Sequence, residues 1–192
     1  MGYVRVMKVW RRLHNLVVAA VLLPTLAAFP AAGQTTRLDG LLDRLKTADA
    51  AEAGRIEQEI WIEWSKSGSA AMDLLLERGR QAMAEGRLDV AIEHFTALID
   101  HDPAFAEGWN ARATAYYQDG QIGPALADIA QTLQRNPRHF GALSGLAMIF
   151  EELERPEQAL EVWKSVEAIH PHAAGVSEAI GRIGAALEGR EL

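Results

Sequence analysis

The chain has 192 residues, 49% of them apolar and 23% charged, with a mean hydropathy near zero and a formal net charge of −7. That composition fits one folded domain with a sizeable core and excludes a polytopic membrane protein and a disordered chain. The absence of cysteine excludes disulfides, cysteine–zinc sites, iron–sulfur clusters, thiol catalysis and lipid attachment through an N-terminal cysteine.

Residues 1–33 carry Arg5, Lys8, Arg11 and Arg12 and no acid. An uncharged run of 14 residues, Leu16 to Phe29, follows the basic part and is interrupted by Pro24. It is shorter than the roughly 20 residues a membrane-spanning helix needs. Ala31, Ala32 and Gly33 then supply small side chains. A basic start, a short apolar run and a small-residue site together predict a signal peptide, cut after Gly33 or after Ala28, and a periplasmic or secreted protein. An uncleaved membrane anchor is the alternative for the same residues. Without this segment 15 Lys and Arg face 26 Asp and Glu. So acidic a domain is poorly suited to nucleic acid, whose phosphates need clustered cations.

Residues 34–71 read as an N-terminal helical cap. Leu38, Leu41, Leu42 and Leu45 form one apolar stripe, and Ile56, Ile60 and Trp64 form another. Ser67-Gly68-Ser69 reads as the join to the next segment.

From residue 72 the chain repeats. Pro103, Pro137 and Pro171 are spaced 34 residues apart. Ala91, Ala125 and Ala159 keep the same interval, as do Phe95, Ile129 and Trp163, and Leu75, Trp109 and Leu143. Gly86 and Gly120 fall in phase, with Glu154 in the third place. Within a unit, Trp109, Ala113 and Tyr116 share one helical face, and Ala125, Ile129 and Thr132 share another. Asp119-Gly120 separates the two helices, and Asn136-Pro137 ends the second. Each unit is therefore helix, tight turn, helix and proline stop. Three units are expected at 72–105, 106–139 and 140–173. Residues 174–192 read as a C-terminal capping helix, with Val176, Ile180, Ile183 and Leu187 inward.

These residues resemble the tetratricopeptide repeat (TPR) family. Its pattern of large, small and large residues on the first helix is met by Trp109, Ala113 and Tyr116 and by Leu143, Ala147 and Phe150. The alanine, aromatic and proline positions of the second half are met by Ala159, Trp163 and Pro171. In the first unit Ala82 stands where a large residue is usual, and Arg78 and Arg112 occupy a position the family usually fills with Leu. The resemblance implies an all-α helix-turn-helix solenoid, a non-catalytic role and a protein or peptide partner held on the concave face.

That face is expected to present Asn110, Thr114 and Tyr117 in the middle unit, Ser144, Met148 and Glu151 in the third, and Leu76, Arg80 and Met83 in the first. The expected partner contacts are Arg80, Asn110, Thr114, Tyr117, Met148 and Glu151. TPR domains that clamp a free carboxylate do so with Lys and Asn. The corresponding positions here hold Leu76, Arg80, Ala111, Gly141 and Gly145, which argues against that ligand.

No phosphate-binding loop, zinc-protease or hydrolase motif is present. His170 and His172 flank Pro171 and read as turn residues rather than metal ligands, as does His101. Glu151, Glu152 and Glu161 read as a solvated helix face. No catalytic residue, cofactor or metal is expected. The competing readings are a membrane-anchored envelope assembly factor and an enzyme or metal protein.

Overall fold

Apolar stripes at helical spacing, broken at fixed intervals by glycine and proline, dictate short helices joined by tight turns. The computed structural model describes residues 32–189. The basic and apolar parts of the expected signal segment, and residues 190–192, lie outside them. Among the described residues there are nine helices and no strand. They are α1 (Ala32–Leu45), α2 (Ala50–Trp64), α3 (Ala70–Ala84), α4 (Leu88–His101), α5 (Ala106–Gln118), α6 (Ile122–Arg135), α7 (Phe140–Glu152), α8 (Pro156–Ile169) and α9 (Val176–Glu188). The repeats are the pairs α3–α4, α5–α6 and α7–α8.

Each pair turns in the same way. Gly86 and Gly120 both have φ of +73°, and Glu154, in phase with them, has +55°. The next N–H closes back on the first helix: Arg87 on Ala82 O at 2.9 Å, Gln121 on Tyr116 O at 2.8 Å, Arg155 on Phe150 O at 2.8 Å. This six-to-one closure needs a left-handed residue. Glycine takes that conformation freely, whereas Glu154 meets a steric cost of about 1 kcal/mol there. Pro156 sits at the start of α8, where its missing N–H has no helical partner to lose.

The small residues lie where helices touch. Ala91, Ala125 and Ala159 are fully buried. A Cβ on Gly79 would stand 2.2 Å from Phe95 Cε1, so the glycine is what lets the ring lie against α3. Arg112 stands at a position usually apolar because it is paired. Its Nε and Nη2 bond both carboxylate oxygens of Asp128 at 2.7 and 3.0 Å, and its Nη1 bonds Thr96 Oγ1 at 3.0 Å. The bond to Asp128 raises the Arg112 pKa against the opposing effect of burial.

The N-terminal pair departs from expectation. A cap on the first repeat should share its core with α3 and α4. The stripes of α1 and α2 are buried as expected, through Leu41, Leu42, Leu45, Ile56, Ile60 and Trp64. They join a core with Phe140, Ala147, Trp163 and Val166 of the third repeat and Val176, Ala179 and Ile183 of α9. Leu76, Ala91, Phe95 and Leu98 of the first repeat form a different cluster with Ala111 and Ala115. Helix α9 begins at Val176 after a left-handed Gly175, and buries Val176, Ala179 and Ile183. Ile180 and Leu187, expected inward, are half-buried.

Candidate functional site

Between α5 and α7 runs a cleft of about 340 Å³. On α5 its wall is Asn110, Ala113, Thr114, Tyr117 and Gln118. These positions recur three and four apart, so they share a helical face. On α7 it is Gly141, Ala142, Ser144, Gly145, Met148 and Ile149, and Ile129 of α6 closes the back. Small residues at 141, 142 and 145 make the recess. Among the described residues, no charged side chain lines it.

The polar groups of the cleft are oriented. Thr114 Oγ1 donates to Asn110 O at 3.0 Å, and Ser144 Oγ donates to Phe140 O at 2.8 Å. Each hydroxyl proton is thus held by its own helix, which leaves oxygen lone pairs to accept from a ligand N–H. Tyr117 has its pKa raised, first by burial and then by the nearby Glu152 carboxylate, so its phenol stays neutral. Met148 is exposed at the rim, where a flexible thioether adapts to varied apolar shapes.

Beside the cleft lies a buried polar cluster centred on Glu107, in the first turn of α5 and 3% exposed. Its Oε1 accepts from Arg80 Nη2 at 2.5 Å, and its Oε2 accepts from Asn110 Nδ2 at 3.2 Å. His139 Nε2 stands 3.0 Å from the same Oε2. Ala142 N–H donates to His139 Nδ1 at 3.1 Å, so Nε2 carries the ring proton and donates to Glu107. The His139 ring stacks on Trp64 at 4.0 Å between centroids.

The six expected contact residues therefore separate. Asn110, Thr114, Tyr117 and Met148 line one cleft. Arg80 and Glu151 do not. Arg80 is engaged by Glu107 and by Ser65 Oγ at 2.9 Å. Glu151 accepts from Trp163 Nε1 at 2.8 Å and Arg182 Nη2 at 2.7 Å, tying α7 to α8 and α9. Asn110 lines the cleft, with one N–H of its amide held by Glu107. His170, read as a turn residue, caps α8 and is buried, with Nε2 3.3 Å from Glu57 Oε2 and Phe140 against its ring. Gly141 and Gly145 are not among the expected partner contacts, yet their i, i+4 spacing on a first helix is the sequence signal for a recess. Glu107 and His139 carried no signal, because a helical carboxylate and a loop histidine read as solvated.

Three stacked helix hairpins with a recess between first helices define a helical-repeat protein. The family model for the tetratricopeptide repeat matches residues 76–123 and 110–174. A TPR repeat-containing protein of Rhizobium etli is 35% identical over 154 residues, which span 80% of this chain and 76% of that protein. The chain belongs to the tetratricopeptide repeat family. Small glutamine-rich tetratricopeptide repeat-containing protein 2 of Saccharomyces cerevisiae is 28% identical over 115 residues, 60% of this chain and 33% of its own length. Among solved structures, the first TPR of Spaghetti bound to an HSP90 peptide has a TM-score of 0.58 at 24% identity, covering 61% of this chain and 93% of that one. The TPR2B domain of yeast Sti1, in complex with an Hsp70 peptide partner, has a TM-score of 0.55 at 17% identity, covering 60% and 98%. These structural likenesses show the fold.

Proposed function

We propose that this protein is an exported, non-catalytic adaptor that holds a peptide segment of a protein partner in the cleft between α5 and α7. The observation that carries the reading is the cleft itself. Its uncharged walls combine acceptor hydroxyls, a neutral phenol and an exposed thioether. A peptide backbone supplies the N–H groups those acceptors need, and uncharged side chains suit the rest. Free-carboxylate recognition has no support here. Arg80, the sole cation among the five clamp positions, is paired with Glu107, and position 141 is glycine. The solved TPR structures that hold peptides support a peptide ligand of some kind.

Peptides selected from a random display library test the cleft. Met148→Glu should weaken their binding by roughly tenfold, about 1.4 kcal/mol, with unchanged helical circular dichroism. If Met148→Glu has no effect while Ala127→Glu, on the exposed face of α6, abolishes binding, the cleft is the wrong surface.

The exported part of the reading rests on the basic and apolar composition of residues 1–33. Among the described residues, no helix is long and apolar enough to cross a membrane. A cut after Gly33 removes only the first two residues of α1, so it leaves the helix intact. Expression in a bacterium with an envelope should yield a soluble form beginning near Gln34 by mass spectrometry. An intact Met1 in the membrane fraction would favour the anchored reading instead.

A further inference from the structure

The inner groove of the repeats is not free along its length. Gly141 lines the cleft, yet a Cβ there would also come within 2.5 Å of Trp61 Cη2 and 3.0 Å of its Cζ2. The notch left by this glycine is filled by the Trp61 ring of α2. Trp61 also meets His139 and Phe140 edge-on, both at 5.6 Å between centroids. The opposite wall ends at the same hairpin. Asn110 lines the cleft and bonds Glu107, Glu107 pairs with Arg80, and Arg80 Nη1 donates to Ser65 at the end of α2. Both walls run into α2, where the half-buried Trp61 ring separates the cleft from a second, open recess lined by Ile62, Ser65, Lys66 and Arg80.

The hairpin is fixed there. Ile56, Ile60 and Trp64 are buried in the core shared with the third repeat. Arg138 pairs with Asp39 of α1, and Glu57 of α2 faces His170. A partner that displaced α2 would expose all of this apolar surface at once.

We infer that Trp61 is the end wall of the peptide cleft and sets the length of segment it accepts: a short, uncharged stretch that must stop or turn outward at Gly141. This rests on the cleft being the peptide site. From Asn110 to Tyr117, α5 rises about 10 Å, which is room for about three residues of extended chain.

The test uses twelve-residue peptides selected on the Trp61→Ala protein from a random display library, then trimmed stepwise from each end. They are titrated by calorimetry against the wild type, Trp61→Ala and Trp61→Leu, with Met148→Glu as the control for the cleft. The flank that passes Gly141 should matter only when the indole is gone. Trimming it should cost Trp61→Ala roughly tenfold in affinity and the wild type less than about twofold. Trp61→Leu, which keeps an apolar contact, should fall between and serves if the alanine variant loses helicity. Parallel losses in all three proteins would overturn the end-wall role. So would full-length peptides that bind the wild type as tightly as Trp61→Ala while shifting its tryptophan emission, because the hairpin would then be moving aside. If binding ignores Met148→Glu as well, the cleft reading itself fails and this proposal falls with it.

Discussion

Glu107→Ala should lower the melting temperature by roughly 10 °C, equivalent to about 3 kcal/mol for a domain of this size. The effect does not come mainly from the ion pair. Arg80 is 41% exposed and can turn to water when its partner is lost. Asn110 and His139 cannot, since both are buried and both donate to the same carboxylate oxygen. Each would be left with an unsatisfied N–H, at about 1–3 kcal/mol apiece. Glu107→Gln keeps an acceptor for one of them and should lose about half as much. Differential scanning calorimetry decides the matter: a shift of less than about 2 °C for the alanine variant would mean that water replaces the carboxylate and the cluster is not dry.

Phe95→Ala should cost about 3–5 kcal/mol in urea unfolding, because the ring is fully buried and the small residues around it cannot collapse into its space. The same contact can be probed from the other side. Gly79→Ala places a methyl within 2.2 Å of the ring and should cost about 1–3 kcal/mol by overpacking. In a Phe95→Leu background, where the ring edge is gone, Gly79→Ala should cost clearly less. The two changes are then non-additive, as expected for residues in direct contact. Additive losses would show that the helix backbone, rather than the ring, makes position 79 intolerant.

The repeats were legible because their packing rule is local. A helix pair that must close tightly needs small residues at fixed places, and Ala91, Ala125 and Ala159 mark those places at a constant interval. The left-handed turn was marked by Gly86 and Gly120, although Glu154 adopts the same conformation without the glycine signal. The first pair of helices was legible only in part. Leu42, Ile60 and Trp64 showed which faces are buried, but periodicity carries no information about what covers a face. Their partner is the third repeat, reached across the chain. The cleft was legible where side chains act independently, as Thr114, Tyr117 and Met148 do. Arg80 lies off the cleft because it answers to Glu107, a residue whose burial comes from its neighbours and not from its own chemistry, whereas Asn110 lines the cleft and bonds the same carboxylate. Glu151 lies off the cleft for a similar reason: Trp163 and Arg182 engage it from two later helices.

The contact between the first helices and the last repeat changes how this chain must be assembled. Most helical-repeat arrays fold from short-range pairings, each unit finding its partner in the next. Here Asp39 meets Arg138 across 99 residues, and Glu57 meets His170 across 113. The leucine and isoleucine stripes of α1 and α2 are synthesised first, yet their covering surface is made last. Until residue 140 and beyond have emerged, those stripes are adhesive surface without a mate, open to holdase chaperones or to other copies of the chain. Closure over such a separation raises contact order and slows the final step of folding. It also couples the two ends, so that loss of α8 and α9 would release the helices at the opposite terminus, and a nominally modular array would unfold from its seam rather than from its tips.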